Sequence, residues 1–139
     1  MILKVGTVFS GIGAPEQALK ELNINHSVKW ACDIDKFAKQ TYLANHSCEK
    51  WYDNVTKINI SELSPVDLFC YGFPCLDISC AGKQDLTKGR SILVNYCLDI
   101  TDKLQPKYFV FENVKALLSN KFKDFFNFII SRLSVNYNI

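Results

Sequence analysis

Short runs of apolar, strand-forming residues alternate along this chain with segments of helical periodicity, and that alternation restricts the fold more than any other feature. Leu3 to Phe9 reads as a strand that ends in the Gly-rich turn Ser10-Gly11-Ile12-Gly13. Ala14, Ala18, Leu19 and Leu22 then fall on one helical face. Ser27 to Cys32 predicts a second strand, followed by Ile34, Phe37, Ala38, Thr41 and Tyr42 at helical spacing. Val66 to Tyr71 predicts a further strand, and Leu93, Tyr96, Cys97, Ile100 and Leu104 mark another helix. Tyr108-Phe109-Val110-Phe111 reads as a strand apolar on both faces, ahead of a stripe formed by Phe122, Phe125, Phe126, Ile129, Ile130 and Leu133. Strands alternating with helices imply an α/β fold of right-handed βαβ units, a parallel sheet with helices on both faces. Such sheets take ligands beyond the carboxyl ends of their strands, where strand order reverses.

The last strand carries a further expectation. A segment reading Tyr-Phe-Val-Phe wants neighbours on both edges, yet only one helical segment follows it. The chain is therefore expected to be a piece of something longer, or to have strands supplied by a partner. Composition excludes other classes. At 139 residues, 48% hydrophobic and 22% charged, it has the make-up of one ordinary globular domain rather than of a disordered chain. A net charge of +2 announces no general affinity for nucleic acid, so any basic face is local. No apolar run approaches the ~18 residues of a membrane span, and Met1 to Gly13 lacks the features of a signal peptide. A cytoplasmic protein is expected, with no membrane association. The six cysteines match no metal-ligand spacing, so no metal is expected, and most read as small apolar fillers.

Two constellations carry chemistry. In Phe9-Ser10-Gly11-Ile12-Gly13 the glycines let backbone approach a ligand, although a tight strand-to-helix turn accounts for them equally well. Glu16 stands where a dinucleotide fingerprint requires its third glycine, which argues against a pyrophosphate. Asp33 follows the second strand, where a carboxylate accepts from ribose hydroxyls; one of Asp33 and Asp35 is also expected to cap the next helix. Together these features suggest a nucleoside cofactor with a carboxylate and no pyrophosphate, a description that S-adenosylmethionine fits.

The second constellation follows the strand at 66–71. Pro74 fixes the backbone just before Cys75, and a thiol at a strand's carboxyl end is placed to react when a helix N-terminus or a cation lowers its pKa. Glu112 and Asn113 end the neighbouring strand, so parallel order brings Glu112 to the rim that carries Cys75. A helix-capping role for Glu112 is the plainer alternative. Lys83, Lys88 and Arg90, opposed only by Asp85, make a locally basic loop suited to phosphates, or simply a solvated turn.

Phe-Ser-Gly-Ile-Gly, Gly-Phe-Pro-Cys…Ala-Gly-Lys-Gln and Glu-Asn-Val, in this order and at these distances, resemble the cytosine-C5 DNA methyltransferase family over nearly the whole chain. The resemblance implies a Rossmann-like S-adenosylmethionine-dependent methyltransferase fold, truncated after the fifth strand and its helix. Residues 1–139 would form a partial catalytic domain. Cys75 would be the nucleophile, Glu112 its acid partner, and Asn113 would orient the Pro74-Cys75 loop. The cofactor would lie against Phe9, Ser10, Gly11, Ile12, Gly13 and Pro74. Asp33 would take its ribose hydroxyls, Ile34 would sit against the adenine, and Asn54 and Val55 would line the adenine edge. Ser79, Lys83, Lys88 and Arg90 would meet double-stranded DNA, in a bacterial or phage-infected cell. Pro-Pro-Cys, usual in RNA-methylating relatives, is replaced here by Phe73-Pro74-Cys75.

The chemistry explains those residue types. Cytosine C5 is too weak a nucleophile until a thiolate adds at C6, and that addition requires a proton or strong hydrogen bond at N3, which a protonated Glu112 can donate. Glu112 is therefore expected to have a raised pKa, through burial or the neighbouring thiolate. C5 then takes the methyl group, and loss of its proton with release of Cys75 restores the ring. The base must be flipped out of the duplex, because stacking hides C6.

Three departures stand out. Leu76 replaces a Gln usual after the cysteine, and Asn54 replaces a frequent Asp, its amide oxygen being expected to accept from the adenine amine. The chain also stops at Ile139, before an Arg-rich strand motif, a target-recognition domain and a C-terminal segment. A complementing polypeptide is one expectation; a non-catalytic cofactor- or protein-binding remnant is the other.

Overall fold

The computed structural model describes residues 1–74 and 90–139, with the backbone alone for Arg90 and Ser91. Two compact units divide the chain. Met1–Gly72 with Pro106–Phe111 form the first, and Phe73–Gln105 with Glu112–Ile139 the second.

The first unit is a five-stranded sheet in the order β3-β2-β1-β4-β5, built from β1 (Leu3–Val8), β2 (His26–Cys32), β3 (Lys50–Tyr52), β4 (Leu68–Tyr71) and β5 (Tyr108–Phe111). Each neighbouring pair is parallel, as expected. Strand order reverses at β1, which has β2 on one side and β4 on the other, so β1 and β4 end side by side with Val8 opposite Tyr71. Aromatic contacts support the sheet. Trp30 packs on Phe69 with ring centroids 5.4 Å apart, and its indole donates to the Ser64 carbonyl. Tyr71 stacks on Phe111 across the β4–β5 pair at 5.7 Å. Gly6 is a packing glycine: a Cβ there would lie 2.3 Å from the Trp30 ring.

Between these strands run α1 (Ala14–Glu21) and α2 (Lys36–Asn45). The face expected of α1 requires correction. Ala14, Ala18 and Leu22 are exposed, whereas Glu16 and Leu19 are buried. The reason is a polar anchor: Glu16 accepts from Thr7 of β1 and Tyr42 of α2, and those bonds rotate the helix. Asp35 caps α2 by accepting from the Phe37 and Ala38 amides. Ile34 and Phe37 are 77% and 65% exposed, so only the later part of the predicted α2 stripe, centred on Tyr42, faces inward. The three-residue β3 lies below the length at which alternation can be read from sequence.

The second unit contains α3 (Val94–Leu104) and α4 (Lys123–Leu133). On α3 Cys97 and Ile100 are buried as expected, but the inner face also takes Val94 and Leu98, which the stripe did not include, while Tyr96 is exposed; on α4 Ile129 and Leu133 are buried, in line with the predicted stripe. Arg132 of α4 bridges to Asp99, at 3.1 Å, and to Asp102 of α3.

At the far edge of the sheet β5 has no further strand beside it among the described residues. Tyr108 and Val110 there are 55% and 54% exposed.

Candidate active site

The loop leaving β1 is shaped by left-handed backbone at three positions: Phe9 (φ 58°), Gly11 (φ 54°) and Gly13 (φ 93°). Phe9 is therefore the first residue of the loop rather than the last of the strand. A Cβ placed on Gly11 would meet nothing within 4 Å, so the backbone there faces open space. A Cβ on Gly13 would lie 2.3 Å from the His46 ring, so that glycine is required by packing. The loop is tied down from beneath. Ser10 Oγ donates to the Cys32 carbonyl at 3.2 Å and accepts from the Cys32 amide at 3.0 Å. It also shares a 2.7 Å hydrogen bond with Thr7 Oγ1, and Thr7 continues to Glu16.

Asp33, just past β2, accepts from the Gly11 amide at 2.8 Å and from the Asp35 amide at 2.9 Å. Each oxygen thus takes one backbone hydrogen bond and keeps acceptor capacity for a further donor. Ile12 and Ile34 stand exposed on the flanking loops. A half-buried carboxylate, a bare stretch of backbone and exposed apolar side chains suit the ribose hydroxyls and heterocycle of a nucleoside.

In the second unit the chain leaving β4 enters Phe73-Pro74. Phe73 is buried and meets the Phe125 ring edge-on at 6.2 Å. The Asn113 amide donates to the Phe73 carbonyl at 3.0 Å, so the turn before Cys75 is held by the residue next to Glu112.

The profile of the C-5 cytosine-specific DNA methylases matches residues 3–139. This chain belongs to that family. Among curated relatives it is 35% identical to the orphan methyltransferase M.Rho11sI of Bacillus phage rho11s, over 99% of this chain and 28% of that protein. It is likewise 35% identical to the type II methyltransferase M.BsuFI of Bacillus subtilis, over 95% of this chain and 32% of that protein. The chain thus spans about a third or less of the length of these two relatives. In three dimensions it resembles a prophage-encoded E. coli protein described as a DNA modification methyltransferase. The TM-score is 0.77 at 25% identity, over 98% of this chain and 39% of that one. The fold of Schizosaccharomyces pombe Dnmt2 methyltransferase is also similar, with a TM-score of 0.71 over 93% of this chain and 41% of that one. The parallel sheet is accordingly that of the Rossmann-like methyltransferases.

Within this methylase fold the expected site residues fare differently. Phe9 to Gly13, Asp33 and Ile34 stand together at the carboxyl ends of β1 and β2. Asn54 is corrected: its Oδ1 accepts from both the amide and the hydroxyl of Thr56, at 2.9 Å each, as the cap of a 3₁₀ turn. Both lone pairs of that oxygen are used, so the side-chain NH₂ is the group left to face a ligand. Val55 is buried, and its carbonyl accepts from the Ile58 amide at 3.2 Å. Glu112 is exposed, and the enclosure expected around its carboxyl is not built by the described residues. Cys75, Leu76, Ser79, Lys83, Asp85 and Lys88 lie outside the described residues, and of Arg90 only the backbone, at the start of a 3₁₀ turn, is described.

Burial pushes the thiols of Cys32 and Cys70 up to about 12, with nearby carboxylates adding to the shift, so both are inert fillers as expected. Among the described residues no group of three or more ligating side chains is placed to hold a metal ion, and no helix is long and apolar enough to cross a membrane. Sequence reasoning missed the buried Glu16–Thr7–Tyr42–Ser10 network. Its one legible signal is the carboxylate at position 16, in the first turn of the helix after Ala14 and Pro15.

Proposed function

We propose that this chain supplies the cofactor-binding and nucleophile-bearing part of a DNA cytosine-C5 methyltransferase. Its cofactor is S-adenosylmethionine and its substrate a cytosine flipped from double-stranded DNA. The observation that carries the proposal is the hydrogen bond from Asn113 to the Phe73 carbonyl. It ties the residue after Glu112 to the turn that leads into Pro74-Cys75, which supports the shared rim for carboxyl and thiol that the chemistry requires.

When bound, S-adenosylmethionine supplies an electrophilic methyl group. Phe9 and the glycine loop would receive its methionine portion, Asp33 its ribose hydroxyls, and Ile34 its adenine face. Pro74 would border the methyl group. Cys75 adds its thiolate to C6 of cytosine, and Glu112 gives a proton or strong hydrogen bond to N3, so that electron density gathers at C5. Asn113 acts as a positioning residue by holding the Phe73 carbonyl. Ser79, Lys83, Lys88 and Arg90 meet the DNA backbone.

A second polypeptide or chain segment is proposed to complete the sheet at β5 and to bring target recognition. The absence of a strand beyond β5 among the described residues supports this, because an unpaired edge rich in aromatic and β-branched residues is a template for strand pairing. A duplex containing 5-fluorocytosine tests the proposal, incubated with S-adenosylmethionine, this chain and a complementing fragment from a phage or bacterial relative. A covalent adduct at Cys75, lost in Cys75→Ser, is expected. Cofactor binding without an adduct would leave a non-catalytic binding module instead.

A further inference from the structure

We propose that Ser10 is a positioning residue for the cofactor: its hydroxyl holds the peptide unit between Cys32 and Asp33, and through it aims the Asp33 carboxylate at the ribose hydroxyls. The inference rests on the proposed function, in which Asp33 takes those hydroxyls. Resemblance alone sets Ser10 against the cofactor itself; the surroundings of its side chain fit a different task.

Ser10 is 5% exposed, in the loop that opens at Phe9. Its Oγ accepts from the Cys32 amide at 3.0 Å and lies 3.2 Å from the Cys32 carbonyl oxygen and 2.7 Å from Thr7 Oγ1. A serine hydroxyl offers one donor and two acceptor sites, so these partners use it up and leave nothing for a ligand. The Ser10 backbone amide donates to the Cys32 carbonyl as well, at 3.0 Å. One residue thus holds Cys32 by both its amide and its carbonyl.

The Cys32 carbonyl and the Asp33 amide belong to one planar peptide unit, so holding the first restricts the second. From the other side the Asp33 amide donates to the Tyr52 carbonyl of β3, at 3.2 Å. That plane is therefore fixed between the loop after β1 and the end of β3, and turning it is what would swing the Asp33 side chain. From this fixed start the carboxylate accepts from the Gly11 and Asp35 amides, with capacity left on each oxygen. Gly11 follows Ser10 directly, so the residue that holds the end of β2 also places an amide that steadies the carboxylate. Hydrogen bonds weaken steeply when misaligned, so a loosened plane would lower the gain from a ribose hydroxyl without removing any group that touches it.

The test compares the affinity of the 139-residue chain for S-adenosylhomocysteine and its 2′-deoxy and 3′-deoxy counterparts, by calorimetric titration. The parent should bind at least one deoxy ligand about tenfold or more weakly, the loss of a hydrogen bond to a charged group. In Ser10→Ala that ratio should shrink at least about threefold, because a loosely aimed carboxylate gains less from the hydroxyl. Thr7→Val also removes buried hydrogen bonds but spares the hold of Ser10 on Cys32, so it should keep the parent's ratio. A purely structural role would weaken all three ligands alike and leave the ratio unmoved. Should Ser10→Ala not fold, Ser10→Cys keeps a similar volume with a poor acceptor and should shrink the ratio in the same way. The proposal is overturned if the Ser10 variant discriminates as the parent does, or if Thr7→Val loses discrimination equally. A parent that binds none of the ligands, or all of them alike, removes the cofactor or its ribose contact with Asp33, and the proposal with it. A parent that discriminates keeps that reading whatever the Ser10 variant does.

Discussion

The amide of Gly11 donates to the carboxylate of Asp33 at 2.8 Å, joining the loop after β1 to the loop after β2. Twenty-two positions separate the two residues in sequence. One side chain thus ties the two loops together while each of its oxygens keeps acceptor capacity for a further donor.

The two loop glycines should respond differently to substitution. Gly13→Ala combines left-handed backbone with a Cβ 2.3 Å from the His46 ring. It should destabilise the chain by about 3 kcal/mol, summing left-handed strain and overpacking. Gly11→Ala meets nothing within 4 Å. It should cost only about 1–2 kcal/mol, from the backbone alone, while reducing binding of S-adenosylmethionine. Urea denaturation and calorimetric titration separate the two effects; equal losses of stability would contradict the packing argument.

Tyr42→Phe removes the shorter of the two hydrogen bonds to the buried Glu16. The carboxyl then keeps Thr7 as its one donor among the described residues. The expected loss is about 1–3 kcal/mol, the cost of leaving a buried polar atom poorly satisfied. Chemical denaturation reads this directly, and an unchanged midpoint would mean that Glu16 is otherwise compensated.

Thiol reactivity offers a check on burial. Cys32 and Cys70, held up near 12, should carry roughly a thousandfold less thiolate at pH 8 than free cysteine does. Iodoacetamide followed by peptide mass spectrometry should label both only after denaturation, whereas Cys75 should label in the native chain. Native labelling of Cys70 at the denatured rate would place it outside the core.

Acid should unsettle the first unit through His46. Its imidazole titrates below its ordinary 6.5 in the folded chain, owing to burial and to Lys20, with His26 acting in the same direction and Glu16 against both. The unfolded chain therefore takes up that proton first as pH falls, so the stability associated with neutral His46 is present above about 6.5 and is lost below it. The melting temperature should drop as pH falls below about 6.5, and less steeply in His46→Gln. Parallel curves for parent and variant would remove His46 from the account.

Much of this was legible in the residues. Alternating apolar runs and helical spacing implied a parallel α/β sheet because βαβ units bury each strand on both faces. Glycines at 11 and 13 and carboxylates at 33 and 112 marked strand ends, where ligand chemistry gathers. The unsatisfied character of Tyr108-Phe109-Val110-Phe111 was likewise visible, and among the described residues β5 ends the strand order.

Other features were decided only by packing in three dimensions. The inner face of α1 follows Glu16 rather than the alanines, because two hydroxyls distant in sequence offer it hydrogen bonds. The Asn54 oxygen is consumed by Thr56, a local competition that residue type cannot disclose. His46 packs on Gly13 from the far end of α2, a contact that no local pattern announces. Periodicity reports which residues can share an element's face; which polar atoms are satisfied depends on neighbours that only the folded chain assembles.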